Sequence, residues 1–573
     1  MKVSDSIASA LHAQGVTQVF EVVGGMITHL IDSIERQGRI RLVSMHHEQG
    51  AAFAADATGR MTGIPGVAMA TSGPGAINLL TGIGSSHFDS SPTVFITGQV
   101  NRSERKGERP IRQLGFQEAD IVAMAAPITK AAWRVDVAED VPRVLAEAFG
   151  LARAGRPGPV LLDIPMDVQL ADIDGAAADP PLAREPEPFD AAALEALFAA
   201  LDGAERPLIL AGGGVAAAQA IAPFRRFVDA AGIPVVASLL GLDVLPWDHP
   251  LRVGFIGSYG NRWANLAIGR ADLLLVLGSR LDIRQTGAET VAFKGERAIF
   301  HVDCEAGEIN NRVMGCVPLV AHLHPFLSTA ARAAEDRAWC DRPAWATELR
   351  ELASAWPDVA ELDGVPGINP NVVMHELSRA SRAAAAFVVD VGQHQMWAAQ
   401  SLELGPEQRF LTSGGMGAMG FALPAAIGAA LARPDQPIVM IAGDGSFQLN
   451  IQELQTVVRN RLPLKMVILD NGCHGMVRQF QQTYFEERYQ STYWGYSAPD
   501  FGRVAAAYGI EGRSVEDAAD VADALRWLWR EPQAPALLRV QIDAFANAYP
   551  KIAFGRPITE MEPFAKPIAM ERT

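Results

Sequence analysis

The sequence predicts an α/β protein made of three doubly wound parallel-sheet domains. Three observations carry that expectation. Apolar runs too short for helices recur along the chain and end in glycine-bearing turns, the pattern of buried parallel strands. Stretches with a helical apolar stripe alternate with them. Two proline-, acid- or alanine-rich stretches without periodicity, Ala171 to Phe189 and Trp356 to Asn369, divide the chain into blocks at 1–170, 190–340 and 366–545, with a tail at 546–573.

A chain of 573 residues can bury the cores of two to four domains. With 49% hydrophobic and 20% charged residues, the composition is that of an ordinary globular protein. The net charge of −16, with no basic run, argues against a nucleic-acid surface. Cys304, Cys316, Cys340 and Cys473 show no metal-ligand spacing and suit a reducing compartment. No apolar run approaches a membrane span, and Met1 to Ile7 carries charges too early for a signal peptide, so a cytoplasmic protein is expected.

In the first block Ser4 to Gln14 reads as an amphipathic helix and Val16 to Val23 as a strand ending in Gly24-Gly25. Arg41 to Met45 is another strand. Glu48-Gln49-Gly50-Ala51-Ala52 then opens a helix that is otherwise small and apolar, where an unpaired carboxylate would be costly. The bland reading makes Glu48 a first-turn residue favoured by the helix dipole. Ala70 to Asn78 is a strand-to-helix turn through Gly73-Pro74-Gly75, and Thr93 to Thr97 a strand ending in Gly98-Gln99. Gly115-Phe116-Gln117 and Gly155-Arg156-Pro157-Gly158 complete the block.

In the second block Pro207 to Leu210 reads as a strand entering Gly212-Gly213-Gly214 and an alanine-rich helix. Ala271 to Leu277 is a strand entering Gly278-Ser279-Arg280-Leu281-Asp282-Ile283-Arg284, and Ala298 to Val302 a third, ending at Asp303. A triple glycine after a strand fits a dinucleotide turn; on these residues alone NAD or no ligand both stay open.

In the third block Phe387 to Val391 is a strand running into Gly392-Gln393-His394. Ser413 to Phe421 opens a long helix with Pro424 in its first turns and Met419 at its start. Ile438 to Ala442 and Leu464 to Leu469 read as parallel strands. Asp444 leaves the first and Asn471 the second, so both reach the carboxyl edge, where α/β proteins place ligands. Between them Asn450 and Glu453 stand at capping-box spacing ahead of an apolar stripe at Leu454, Val457 and Val458. A carboxylate and an amide oxygen beside Gly443 and Gly445 suit a hard cation carrying a phosphate. No Gly-Lys-Ser/Thr follows, which excludes a Walker loop. Gly475 to Tyr496 lacks a clean period and reads as a mobile lid.

Gly443-Asp444-Gly445 followed at a distance by Asn471 resembles the diphosphate-binding motif of thiamin diphosphate enzymes. With Glu48-Gln49-Gly50-Ala51-Ala52 and the other turns in order, the chain is similar to the acetohydroxyacid (acetolactate) synthase family from about residue 4 to 563. The resemblance implies the three-domain architecture of the pyruvate oxidase and decarboxylase type. A pyrimidine-binding domain comes first, then a FAD-binding domain, a diphosphate-binding domain and a closing tail. It implies thiamin diphosphate, Mg2+ and FAD as cofactors.

By the same resemblance Asp444, the side-chain oxygen of Asn471 and the main-chain carbonyl of Cys473 fall on the three metal-ligand positions. Gly392, Gln393, His394, Gly443, Gly445, Ser446, Gly475 and Met476 fall at the diphosphate. Gly417 offers its carbonyl to the 4′-amino group, and Met419 is the apolar wedge that bends the cofactor. Glu48 hydrogen-bonds N1′ of the aminopyrimidine, with Gly25, Gly73, Pro74 and Asn78 on the same side; a glutamate is wanted because it can share a proton with the ring nitrogen. Arg156, Gly212, Gly213, Gly214, Gly278, Arg280, Asp282, Arg284 and Asp303 fall at the family's flavin site, with Ile283 where the family has a second aspartate.

The implied activity is decarboxylation of pyruvate and transfer of its two-carbon unit to an acceptor carbonyl, a second pyruvate giving 2-acetolactate. Phe116 and Gln117 match residues of the substrate pocket, and Arg284 an arginine that holds an acceptor carboxylate. Glu48 and Asp444 sit on domains that face each other across a dimer in this family, which implies a homodimer or homotetramer with sites between subunits. Phe480 replaces a tryptophan tied to 2-oxobutyrate preference, and Met166 a lysine near the active-site entrance. Gly24-Gly25-Met26-Ile27 resembles a flavin-containing relative that attaches the same unit to a CDP-linked 4-keto sugar, which stands as the alternative. A non-catalytic nucleotide-binding paralogue would be expected to lose Glu48 or Asn471, and both are present.

Overall fold

The computed structural model describes residues 1–174 and 191–568, so most of the expected linker at Ala171 to Phe189 lies outside the described residues. Three six-stranded sheets are present, and every strand pair in them is parallel. The first runs, in spatial order, Arg41–Ser44, Gln18–Val22, Gly66–Ala70, Thr93–Gln99, Pro159–Pro165 and Ala131–Arg134. The third runs Arg409–Leu411, Ala386–Val389, Ile438–Gly443, Leu464–Asp470, Ala536–Gln541 and Glu511–Val515. Numbered within its own block, each has the order 2-1-3-4-6-5.

The middle sheet runs Val317–Val320, Ala298–Asp303, Leu273–Leu277, Pro207–Ala211, Val235–Ala237 and Arg252–Phe255. Its order is 3-2-1-4-5-6, that of dinucleotide-binding folds. The helix Pro343–Ala355 follows this unit and buries Trp345, whose indole N–H donates to Pro207 O at 3.1 Å. A tail hairpin pairs Lys551–Ile552 with Met561–Glu562.

Strands buried on both faces call for apolar side chains. The central strands Gly66–Ala70, Pro207–Ala211, Leu273–Leu277 and Ile438–Gly443 are apolar throughout, whereas the edge strands Arg41–Ser44 and Glu511–Val515 carry polar residues. In the first sheet Val67 and Met69 enter one core while Ala68 and Ala70 enter another. The second of those cores is shared with the third block. There the helix Glu48–Thr62 packs on the helix Ala422–Ala432, and a Cβ on Gly428 would stand 2.1 Å from the Ala54 carbonyl oxygen. That approach explains why both helices are alanine- and glycine-rich: larger side chains would hold their axes apart.

In each sheet the strand order reverses beside the first strand, and a crevice opens at the carboxyl ends there. The turns flanking the three crevices begin at Val23 and Thr71 in the first sheet, Gly212 and Gly278 in the second, and Asp390 and Asp444 in the third.

Four local readings of the sequence are corrected. The alanine-rich run after Gly212–Gly214 is not one helix. It is a turn, Gly214–Ala217, then Gln219 at φ 54 packed against Gly63, then a new helix at Ile221–Ala231. The helix after the glycine-rich stretch begins at Ala422, so Met419 precedes it in a turn. The Asp390 carboxylate accepts from Gly420 N at 3.0 Å and Ala422 N at 2.8 Å and sets that start.

Asn450 and Glu453 form no capping box; the α-helix starts at Leu454. Asn450 is non-helical at φ −131° and donates to Gly420 O at 2.8 Å, while the Glu453 carboxylate accepts from His46 N at 2.9 Å and His47 N at 3.2 Å. Gly475–Tyr484 is a helix despite its lack of an apolar period, because its buried face is Gly475, Arg478 and Gln479.

The stretch Trp356 to Asn369 is held by polar ties rather than periodicity. It forms the short turn Asp358–Leu362, and His375 bridges Asp358 Oδ2 at 2.9 Å and Glu403 Oε1 at 3.0 Å. Burial works to lower the His375 pKa, but the bonds and charges of Asp358 and Glu403 outweigh it and raise it above the ordinary 6.5. A raised folded-state pKa contributes stability that is complete below pH 6.5 and fades as pH rises through the folded value. The thermal midpoint of the protein should therefore fall across that interval, and His375→Gln should remove this part of the slope while lowering the midpoint on the acid side. An unchanged pH profile in the variant would refute it.

Candidate active site

A cavity of about 1110 Å³ runs from the crevice of the third sheet to that of the middle sheet. At the first end it is lined by Gly392, Gln393, His394, Gly443, Asp444, Gly445, Ser446, Asn471, Cys473, Gly475 and Met476. At the other it is lined by Gly213, Gly214, Gly278, Arg280, Asp282, Arg284, Asp303 and Arg156, with Gly417 and Met419 also on its wall. Residues far apart in the chain are thus brought to one space.

Asp444 opens a single turn, Asp444–Phe447, at the end of its strand and is 2% exposed. Burial first, and then the nearby Asp470 charge, push its carboxyl up to about 7. The Tyr496 hydroxyl donates to Asp444 Oδ2 at 2.9 Å. Asn471 follows the neighbouring strand; its Nδ2 donates to Gln393 Oε1 at 3.1 Å, and its Oδ1 accepts from Cys473 N at 3.2 Å. Gln393 is fixed in turn by donating to Gln479 Oε1 at 3.1 Å.

His394 is buried, and that burial lowers its pKa to about 3, so the ring is neutral. Its Nε2 is buried without a hydrogen-bond partner. The glycines here are required by closeness: a Cβ on Gly475 would stand 1.9 Å from Gln393 Oε1, and one on Gly443 2.9 Å from His394 Nδ1.

This end fits a diphosphate and a divalent cation. The orphaned His394 nitrogen on the wall lacks a partner that a ligand could supply. Among the described residues no three His, Cys, Asp or Glu side chains stand together as a metal set. Asp444, the Asn471 amide oxygen and the Cys473 carbonyl offer one charge and otherwise neutral oxygens. Such a set suits a hard cation that completes its shell with phosphate oxygens.

The loop carrying Gly417 and Met419 is held by residues that the motifs did not single out. The Asp89 carboxylate accepts from Gly414 N at 3.1 Å and Gly415 N at 2.6 Å. Arg60 ties Asp89 at 2.8 Å and Asp56 at 2.8 Å, and donates to Thr412 O at 2.8 Å. The only sequence signal for this network was a pair of charged residues inside an alanine-rich helix. Phe255, Tyr259, Met416 and His474 also line the cavity without any sequence signal.

At the other end Gly212 does not line the cavity but permits its shape: a Cβ there would stand 2.1 Å from the Gly278 carbonyl oxygen. Arg280 pairs with Asp282 at 3.2 Å, Asp282 caps the turn at Arg284 N at 2.9 Å, and Arg156 pairs with Glu305 at 2.9 Å and Glu308 at 2.8 Å. Ile283 is exposed.

Glu48, Gly25, Gly73, Pro74, Asn78, Phe116 and Gln117 are not on the wall of this cavity. Several of them gather at the crevice of the first sheet. Asn78 Nδ2 donates to Glu48 Oε2 at 2.9 Å, and Pro74 begins the short helix that ends in Asn78. Gly73 faces Gln117, which is held at φ 64; a Cβ on Gly73 would stand 2.9 Å from Gln117 Cβ. Gly25 faces open space, and Phe116 is 80% exposed. Phe480 also lies off the wall, its ring packed on Tyr484 at 4.7 Å and Phe485 at 5.8 Å.

Three α/β units, with a polar crevice at the outer two and a dinucleotide-type turn in the middle one, define a thiamine pyrophosphate enzyme. The N-terminal TPP binding domain of that class matches residues 1–124, its central domain residues 194–329, and its C-terminal TPP binding domain residues 390–540. The chain is 40% identical to the acetolactate synthase isozyme 2 large subunit of Escherichia coli, over 97% of this chain and 98% of that protein. It is 38% identical to the chloroplastic acetolactate synthase 2 of Nicotiana tabacum, over 97% of this chain and 84% of that one. To the acetolactate synthase large subunit of Lactococcus lactis it is 35% identical, over 97% and 95%. The chain belongs to the acetolactate synthase family. These relatives favour an acetolactate synthase-like carboligase over the transferase acting on a keto sugar and over a non-catalytic paralogue. Among the described residues no helix is long and apolar enough to cross a membrane.

Proposed function

We propose that this chain is a thiamin diphosphate- and Mg2+-dependent carboligase that decarboxylates pyruvate and joins its two-carbon unit to a second pyruvate, giving 2-acetolactate. The observation that carries the reading is the single cavity joining the Asp444 crevice to the Gly213–Gly214 turn. When bound, thiamin diphosphate supplies the carbanion chemistry.

The chain's own residues supply position. Asp444, Asn471 and the Cys473 carbonyl would hold the cation against the diphosphate, with Gly392, Gln393, His394, Gly443, Gly445, Ser446, Gly475 and Met476 around it. Gly417 and Met419, on the loop fixed by Asp89, would set the orientation of the aminopyrimidine. Glu48 would exchange a proton with its N1′. Glu48 is absent from this chain's own cavity wall, which supports a homodimer in which a second copy brings Glu48, Phe116 and Gln117 to the site.

FAD would occupy the middle-sheet end along Arg156, Gly213, Gly214, Gly278, Arg280, Asp282 and Asp303, with the strand order of a dinucleotide fold in support. Arg284, on the same wall, is placed in this reading to hold the carboxylate of the acceptor. In domain terms 1–170 takes the pyrimidine, 190–340 the flavin and 366–545 the diphosphate.

Incubation of the purified protein with carbon-labelled pyruvate, thiamin diphosphate and Mg2+ should yield labelled 2-acetolactate and carbon dioxide. A visible flavin spectrum should accompany the protein. Carbon dioxide with acetaldehyde alone, or turnover only when a bulkier ketone is supplied, would overturn pyruvate as the acceptor.

A further inference from the structure

We propose that Tyr496 is a positioning residue of the cation site, and that the cation in turn anchors the segment from Phe485 to Tyr496. The inference rests on the reading of Asp444 as a metal ligand. Tyr496 Oη donates to Asp444 Oδ2 at 2.9 Å, the one hydrogen bond between Asp444 and another side chain among the described residues, beside backbone N–H groups of its own turn. A donor that holds one carboxylate oxygen fixes the orientation of the group toward a bound cation, the usual role of an outer-shell partner.

The tyrosine is itself fixed. Its ring meets the His474 ring edge-on at 4.8 Å, and His474 N donates to Thr492 O at 2.9 Å, which ties the segment to the residue after Cys473. Gly445 is what lets both rings approach: a Cβ there would stand 2.7 Å from His474 Cε1 and 3.1 Å from Tyr496 Oη. The second glycine of Gly443-Asp444-Gly445 thus has a role toward the tyrosine as well as toward a phosphate. Because the bond joins the segment to the ligand, binding energy is shared in both directions: whatever Tyr496 adds to cation affinity, the cation adds to the order of the segment.

The test uses Mn2+ as the probe, followed by the electron paramagnetic resonance of the free ion at saturating thiamin diphosphate. Tyr496→Phe should bind Mn2+ about 10–100-fold more weakly, the usual cost of an outer-shell partner. Backbone hydrogen exchange in the parent protein should slow within residues 485–496 when Mn2+ and cofactor are added, and this protection should shrink in the variant. A Tyr496→Phe protein with the parent's circular dichroism and the parent's Mn2+ affinity would overturn the proposal. So would a parent protein whose 485–496 exchange ignores Mn2+, a measurement that stands even if the variant does not fold. A parent that takes up no Mn2+ with the cofactor would instead overturn the cofactor reading, and this inference with it.

Discussion

Asp444→Ala should abolish magnesium-supported binding of thiamin diphosphate while leaving the protein folded. The carboxylate is the only charged donor in the proposed set; the Asn471 amide and the Cys473 carbonyl are neutral. Without it the diphosphate loses the cation that bridges its charge to the protein. The loss should exceed the roughly 10–100-fold typical of an outer-shell partner, because a direct ligand is removed. Folding should tolerate the change, since the carboxyl is buried beside Asp470 and these surroundings disfavour its charge in the absence of a cation. Calorimetric titration with cofactor, with and without Mg2+, measures the effect. Near-normal affinity would remove Asp444 from the metal site.

Glu48→Gln should keep fold and cofactor binding but lose turnover by about 10²–10⁴-fold, the range of general acid–base contributions, because an amide cannot share a proton with N1′. Exchange of the proton on C2 of the bound cofactor's thiazolium ring isolates the step, and exchange at the parent's rate in the variant would strip Glu48 of this role.

The two variants together also test where the site is assembled. If Glu48 of one copy serves Asp444 of the other, a heterodimer of Glu48→Gln and Asp444→Ala chains contains one intact site. Refolding an equal mixture should then restore about a quarter of the parent activity, as expected for random pairing across a two-fold axis. A site complete within one chain would give no recovery.

Much of the fold is legible in the sequence because a strand buried on both faces is apolar at most positions, and a glycine or polar residue commonly marks its end. That pattern finds strands at Ile438 to Ala442 and, despite the buried Lys465, at Leu464 to Leu469, and so puts Asp444 and Asn471 at one sheet edge. It also finds the turns at Gly212, Gly278 and Gly392. The same reasoning falters where a residue's partner is not its neighbour in the chain. Asn450 and Glu453 have capping-box spacing, yet both bond to other segments. The helix Gly475–Tyr484 hides because its inner face is polar, with Arg478 donating to Asn547 and Gln482.

By itself, then, the sequence determined the three α/β blocks, the ends of their strands and the kinds of donor those ends carry. These are consequences of local burial, which leaves a mark on each residue in turn. Only the tertiary structure decided the strand orders, the core shared by the first and third blocks, the hold of Asp89 on the loop before Met419, and the separation of Glu48 from this chain's own cavity. Tyr496 meets Asp444 across 52 residues of chain. A hydrogen bond of that kind is set by where two segments are folded together, and neither residue's neighbours carry any trace of it.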